Sequence, residues 1–557
     1  MAKPKLSELT LREKIGQTIQ MQSGFLMNME DMEGYLKDNP IGNVWHTCNT
    51  AMTTVNLADI EIDKPEDSTY YRKWAQRMTK AVKIPPLFTN DNPGKAHATD
   101  MVDLVSVAVV GANGSEEVAY EYGKYISYNC KVLGLNNTWS PNVDLPNRFS
   151  AVSLMRQIAS DPEKLVKLSL AFMRGAQDNG IGMCAKHFPG QDAVEYRDNH
   201  FSDEIIRDSK EEWMNRQGKV FQQMIDGGVW SIMPGHQSFP AIDSRKVGNL
   251  YMPTTLSYNI LTKLLKEEMH FDGVVVTDGI GMASLKIAYP NKEDLYVALL
   301  NAGNDILLNV KDLDYIDIIE RAVNDGRISM ERIDDAARRV IDMKEKMGLF
   351  EENQPEEMVL TDELKAEIRE FNRKAAEGAL VLQTNSSNLL PVDPKTVKNV
   401  AIICLTHHAP FFKNLEDMKA EFERRGMKVR LQRRIDSYEE MHEIAEENDL
   451  IIYTSYVAPH APMGGSGLFC EECGALFFAL NEGKEKSIGV SMGVPYVFYD
   501  YFVNMDPYVH AFSPCTESQE AFVKAIFGEI PFVGEYQYDK PWEDDEKKIQ
   551  AAIAASK

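Results

Sequence analysis

Residues 186–200, KHFPGQDAVEYRDNH, place Lys186 and His187 before a Pro-Gly turn and end in Asp198-Asn199-His200. A carboxylate two residues from a histidine can hold the imidazole in one tautomer and stabilise its cation, which is what proton transfer requires. A solvent-exposed loop histidine is the plain alternative. The preceding run, Ile181-Gly182-Met183-Cys184-Ala185, is apolar and predicts a buried strand, so the ionisable groups begin where the strand stops. Active-site loops are mounted on rigid scaffolds in this way. A single such junction reads more readily as a solvated loop, but the event recurs. Ile84–Thr89 runs into Asn90-Asp91-Asn92-Pro93-Gly94, and Asn136–Trp139 into Ser140-Pro141-Asn142-Val143-Asp144. Val229–Met233 runs into Pro234-Gly235-His236, and Gly273–Thr277 ends at Asp278.

Between these strands the sequence predicts helices over Glu116–Leu133, Asp161–Asn179, Ser209–Asp226 and Leu256–Met269. Continuous apolar strands alternating with amphipathic helices indicate parallel strands covered by helices. Five strands ending in Asp, His or Lys fit a (β/α)8 barrel of the TIM type, whose chemistry sits at the carboxyl ends of the strands. A doubly wound open sheet also carries functional loops there, but spends fewer strands on them. We therefore expect an α/β chain with a catalytic barrel over 1–350. Phe350–Pro355 is a polar, proline-bearing break, and 351–378 is read as linker and connecting helix, with the helix over Asp362–Glu377. A smaller α/β sandwich domain is expected over 379–545, with strands Asn399–Leu405, Asp449–Ser455 and Val497–Tyr501 and helices Asn414–Arg425 and Ser437–Asn448. Its alternation fades near Gly528-Glu529-Ile530, and an acidic, peripheral tail follows, ending in 546–557.

A chain of 557 residues exceeds one core, and 44% hydrophobic with 26% charged residues is an ordinary soluble composition. The formal charge of −24 is spread along the chain, which argues against nucleic acid or an anionic membrane as partner. No apolar run reaches the roughly 18–20 residues that span a bilayer. The start, MAKPKLSELTLREKIGQ, reads as an amphipathic helix without an apolar signal core, so a cytoplasmic location is expected. Seven cysteines are scattered, as in a reducing compartment. Cys470 and Cys473 form a lone CxxC near His460, short of a structural zinc set, so neither metal nor cofactor is expected. Oligomeric state has no signature in the sequence.

With these motifs in hand, the chain resembles glycoside hydrolase family 3, in the branch of two-domain β-N-acetylglucosaminidases. The likeness rests on LTLREKIGQ at 9–17, KHFPG at 186–190, FDGVVVTDGIGM at 271–282 and LNAGNDILL at 300–308. In the second domain AAEGALVLQTNSSNLLPV at 375–392 matches the family's entry into its α/β sandwich. The resemblance implies Asp278 as nucleophile, and a carboxylate at the end of a buried strand can attack an anomeric carbon to form a glycosyl-enzyme. An Asp capping the next helix is the alternative for that position. It also implies Asp198 and His200 as the acid/base dyad, where most glycosidases use a second carboxylate. Lys186, His187, Arg156 and Asp91 are implied as ligands of the sugar hydroxyls. His236 is implied as a histidine beside the site, or equally a satisfied structural one.

The chain departs from the family pattern around the sugar. HGDT after KHFPG is here Gln191-Asp192-Ala193-Val194, DQEGG is Asp91-Asn92-Pro93-Gly94-Lys95, and Arg156 is followed by Gln157-Ile158-Ala159. The implied activity is retaining, exo-acting release of terminal β-linked N-acetylglucosamine from a small glycan or glycoside. A phosphorylase using the same residues, a β-glucosidase of the family, and a non-catalytic sugar-binding homologue stay open beside it. A histidine acid/base does not repel phosphate dianion as a carboxylate would. Gly464-Gly465-Ser466-Gly467 is a flexible segment that could reach towards the site, or simply a turn.

Overall fold

The computed structural model describes residues 3–46, 66–91, 94–145, 150, 156–192, 194–352, 357–406, 409–433, 435–457, 467–468, 477 and 482–555. Eight parallel strands follow one another in the first part: β1 (Ile19–Gln22), β2 (Asn43–Trp45), β3 (Leu87–Asn90), β4 (Asn137–Thr138), β5 (Cys184–Phe188), β6 (Ser231–Pro234), β7 (Val274–Val275) and β8 (Leu307–Val310). β8 pairs with β1, β1 with β2, β2 with β3 and β3 with β4, while β5, β6 and β7 form a second parallel run. Parallel bridges Asn137↔Gly182, Asn142↔Lys186 and Val276↔Ile306 join the two runs on both sides. Each strand thus pairs with its sequence neighbours and the last with the first, which closes the sheet into the expected barrel.

Apolar side chains from these strands and the residues beside them, Trp45, Leu87, Trp139, Met233 and Ile306 among them, pack together with Val340, Met343 and Met347. Those last residues come from helix Met330–Lys346 and the turn after it, so the helix lies against one end of the barrel. On the same helix Lys344 is fully buried and donates to Gln17 Oε1 (2.6 Å) and Gly42 O (2.9 Å), just ahead of β1 and β2. That seals the amino-terminal mouth. The carboxyl-terminal mouth is left for the strand-end residues.

The sequence places β5 too early. The strand runs through Lys186 and His187, so these two side chains stand on it and do not follow it. The polarity step after Ala185 marks the change from barrel interior to barrel mouth, while the backbone ladder continues. At the start of the chain, the expected amphipathic helix is only a turn at Leu6–Glu8 and a six-residue helix, Leu11–Gly16, capped by Thr10 with Glu13 in a capping box.

The connecting helix is Asp362–Glu377, as the sequence indicates, with Thr361 as its N-cap. Its Asn372 accepts from Val105 N–H and donates to Asp103 O, tying it to the loop after β3. Beyond it six strands, β9 (Val381–Thr384), β10 (Asn399–Leu405), β11 (Lys428–Gln432), β12 (Leu450–Ser455), β13 (Ser487–Ser491) and β14 (Tyr508–His510), are ordered β9-β14-β13-β12-β10-β11. All pairings are parallel except β9–β14. The strand expected over Val497–Tyr501 is instead a helical turn, Phe498–Phe502. Phe498 and Phe502 are the buried pair, which is helical spacing. The stretch after Ile530 is not all peripheral either. Glu535 N–H donates to Ala112 O, Ser160 N–H to Gln537 O, and Tyr538 is buried with its hydroxyl on Gln157 O, before helix Pro541–Ala555 begins.

Candidate active site

Asp278 stands just past β7. Its N–H donates to Pro234 O (3.1 Å) at the end of β6, and its Oδ1 accepts the N–H of Gly279 (2.7 Å). The next helix starts at Ala283 with Met282 as its N-cap, so Asp278 does not cap it. Burial alone would push this carboxyl up. The imidazoles of His187 and His236, the Gly279 N–H and the Lys186 ammonium outweigh burial and hold it at about 2. The half-buried group is therefore an anion at any working pH.

His236 is buried, and both ring nitrogens are used inside the protein. Gly279 O can only accept, so Nε2 donates to it (3.0 Å), which leaves Nδ1 to accept the Thr255 hydroxyl (2.9 Å). Burial lowers its pKa, and the Asp278 carboxylate works against that shift. The ring braces the turn that carries Asp278.

His187 and His200 are held by the same device, used twice. Asp144, fully buried, accepts the His187 N–H (2.8 Å) on one oxygen and ring Nδ1–H (2.7 Å) on the other. Asp198 accepts both the His200 N–H (2.9 Å) and its Nδ1–H (2.7 Å) on Oδ1. In each case the carboxylate fixes the tautomer and leaves Nε2 as the outward nitrogen. The His200 side chain is 24% exposed and Asp198 only 3%. The Ala283 N–H reaches His200 O (3.4 Å), which ties this loop to the segment following Asp278, and His200 lies near enough to His236 to disfavour its protonation.

Lys186, also buried, donates to Asp91 Oδ1, while Arg156 Nη2 is 4.0 Å from Asp91 Oδ2. Burial raises the Asp91 carboxyl, but Lys186 and Arg156 prevail and hold it below the usual range. Asp91, Arg156 and Lys186 thus form one ion cluster, and Lys186 also acts on Asp278. Gly190 closes the KHFPG turn at φ +95°, where an added Cβ would meet the Gln217 side chain at 2.0 Å. Gln217 in turn donates to Val143 O (3.0 Å) and accepts from Leu145 N–H (2.8 Å), which fixes the Asp144 loop.

The sequence reading assigned no role to Asp144, although its strand-end loop was singled out. Its spacing from His187, 43 residues, carries no local signal. Glu204 was also missed. It is buried, accepts from Gln191 Nε2 (3.4 Å), and its Oε2 has no partner among the described residues. Burial, Glu195, Asp144 and Asp198 all disfavour its charge and hold its carboxyl well above the usual range. The folded state then keeps a proton that the unfolded chain releases, so this contribution to stability is whole below the unfolded pKa and lost as pH rises through the folded one. Glu204→Gln, a neutral isostere, should raise Tm near neutral pH and leave it unchanged below the carboxylate range near ~4. Equal shifts at both pH values would refute the assignment.

Among the described residues no group of three His, Cys, Asp or Glu side chains could hold a metal, and no helix is long and apolar enough to cross a membrane. Cys470, Cys473, His460, Gly464–Ser466 and Asn92-Pro93 lie outside the described residues.

The chain is 28% identical over 280 residues to a β-N-acetylglucosaminidase/β-glucosidase of Cellulomonas fimi, an alignment spanning 49% of each chain. It thus spans about half the length of the curated relatives it matches. The solved structure of a β-glucoside phosphorylase, BglX, superposes with a TM-score of 0.81 at 22% identity, covering 96% of this chain and 94% of that one. A glycoside hydrolase family 3 β-N-acetylglucosaminidase from Paenibacillus sp. str. FPU-7 superposes at 0.78, also 22% identical, over 95% and 99%. At such identities the likeness is one of fold. The glycosyl hydrolase family 3 N-terminal domain matches residues 10–343, the whole of the barrel's eight strands and more than half of the sequence. On that match the chain belongs to glycosyl hydrolase family 3.

Proposed function

We propose that this chain is a retaining, exo-acting glycosidase that removes terminal β-linked N-acetylglucosamine from a small glycan. Asp278 is the nucleophile in this reading, His200 with Asp198 the acid/base, and Asp91, Arg156, Lys186 and His187 the ligands of the sugar hydroxyls. His236 braces the nucleophile's turn. The barrel is assigned to 1–350, the connection to 351–378, the sandwich to 379–545 and the tail to 546–557. The observation that carries the proposal is the place of Asp278, just past a strand end beside the His187 and His236 imidazoles and the Lys186 ammonium, which hold its carboxyl at about 2. An ionised carboxylate can attack an anomeric carbon, and His200, with Nδ1 engaged by Asp198, has Nε2 left to protonate the leaving oxygen. Similarity to the β-N-acetylglucosaminidase/β-glucosidase of Cellulomonas fimi supports the choice of sugar class.

A set of nitrophenyl β-glycosides differing only at the 2-position tests the substrate. The N-acetylglucosaminide should be turned over faster than the glucoside. Equal or better rates on the glucoside would make the chain a β-glucosidase. One observation favours a second reading, phosphorolysis: the acid/base is an imidazole held by a buried carboxylate, so no exposed negative charge at that position repels phosphate. Formation of sugar 1-phosphate only when phosphate is present would establish it.

A further inference from the structure

The loop that carries Asp198 and His200 leaves β5 and comes back at Ile205, where it bridges to Ser238. Its two limbs are joined at the base by two buried carboxylates. Glu195, 2% exposed, accepts on Oε1 the N–H groups of Tyr196 and Arg197 (both 3.1 Å) and Arg197 Nε–H (2.8 Å). On Oε2 it accepts Arg197 Nη2–H (2.6 Å) from its own limb and the Ile205 N–H (3.2 Å) from the opposite one. Arg207, on that opposite limb, lies 3.7 Å from the same oxygen. Asp192 repeats the pattern, taking the N–H of Val194 (3.0 Å) and of Arg207 (2.8 Å). Arg197 also reaches Asp203 (3.6 Å).

From this geometry we infer that Glu195 is a positioning residue for the acid/base. It clasps the loop at both limbs, and Asp198 and His200 lie between the clasped points. Asp192, the second clasping carboxylate, lies within 191–194, where the chain departs from the family pattern. A fixed loop matters because a general acid acts only from a defined place, and displacement by about 1 Å can cost ~10²-fold. The buried Glu195 charge is matched by the Arg197 fork, which makes a bidentate pair that resists such displacement. The inference rests on the proposed role of His200.

The test compares Glu195→Gln with wild type on two substrates of the same sugar, a disaccharide and a dinitrophenyl glycoside. The disaccharide's leaving group needs a proton; the phenolate's does not. The variant should lose about 10-fold or more in kcat/KM on the disaccharide and stay within about 2-fold in kcat/KM on the activated substrate, because kcat/KM reports formation of the glycosyl-enzyme and not its release. Arg197→Met, which removes the fork but leaves the backbone donors, should show the same selectivity if Glu195→Gln folds poorly. Equal losses on both substrates, or none, would overturn the inference by making the clasp merely structural. His200→Ala is run in parallel. If that variant discriminates between the two substrates and Glu195→Gln does not, the clasp alone is refuted. If His200→Ala does not discriminate, the acid/base reading falls and the clasp's role falls with it.

Discussion

Asp278→Asn is expected to lower turnover of an aryl glycoside by roughly 10⁴–10⁶-fold, the range in which loss of a covalent nucleophile falls. An amide cannot form the glycosyl ester, and nothing else at the end of β7 replaces it. A 2-deoxy-2-fluoro glycosyl fluoride, which slows release of the intermediate, should label wild type on the peptide containing Asp278. A label on any other peptide would refute the assignment. The same carboxylate predicts a pH profile. Because its neighbours hold it at about 2, kcat/KM on an activated glycoside should not bend in the ordinary carboxylate range near ~4 as the medium is acidified. The linkage has a definite sign. A depressed folded pKa adds stability above the unfolded value and loses it as pH falls through the folded one. The Asp278→Asn protein should therefore melt below wild type near neutral pH, and the two curves should converge towards about 2. Identical melting across that range would mean that the imidazoles of His187 and His236 do not hold the charge.

The barrel was legible because its strands are short apolar runs that end in ionisable groups, and that pattern needs no tertiary information. The helix Asp362–Glu377 was legible from its own residues, a Thr361 cap and two acidic residues in the first turn. What was not legible depends on partners distant in sequence. Asp144 shows its purpose only when β4 and β5 are adjacent and the His187 ring lies within 2.7 Å. Glu195 and Glu204 read as polar loop residues, since their burial comes from the closure of that loop on Ser238. In the second domain, aromatic residues over Val497–Tyr501 imitate strand propensity, while the true strand β13 contains two serines and Gly489. That glycine is there for tertiary reasons, because an added Cβ would meet the Tyr508 ring at 2.4 Å. Lys186 and His187 were found as functional candidates while their place on the strand was not, since a strand that leaves the apolar interior changes polarity without ending.

His200→Ala should separate substrates by leaving group. Expelling a sugar alkoxide is slow unless its oxygen gains a proton as the bond breaks, and such assistance is typically worth about 10²–10⁴-fold. The variant should lose that much on a disaccharide, while formation of the glycosyl-enzyme from a dinitrophenyl glycoside, whose phenolate departs unaided, should be nearly unaffected. Release of the intermediate should then become the slow step, because the same imidazole must take the proton of incoming water. A burst of phenolate followed by a slow steady state is the expected trace. Azide needs no deprotonation, so it should restore the second step and yield a β-glycosyl azide, the anomer that a double displacement requires. Asp198→Asn should fall between the variant and wild type. Asp198 takes both the His200 N–H and its Nδ1–H on a single oxygen, and an amide oxygen can accept both while providing no charge to support the imidazolium. If His200→Ala slows both substrates alike, shows no burst and gains nothing from azide, the proton comes from elsewhere.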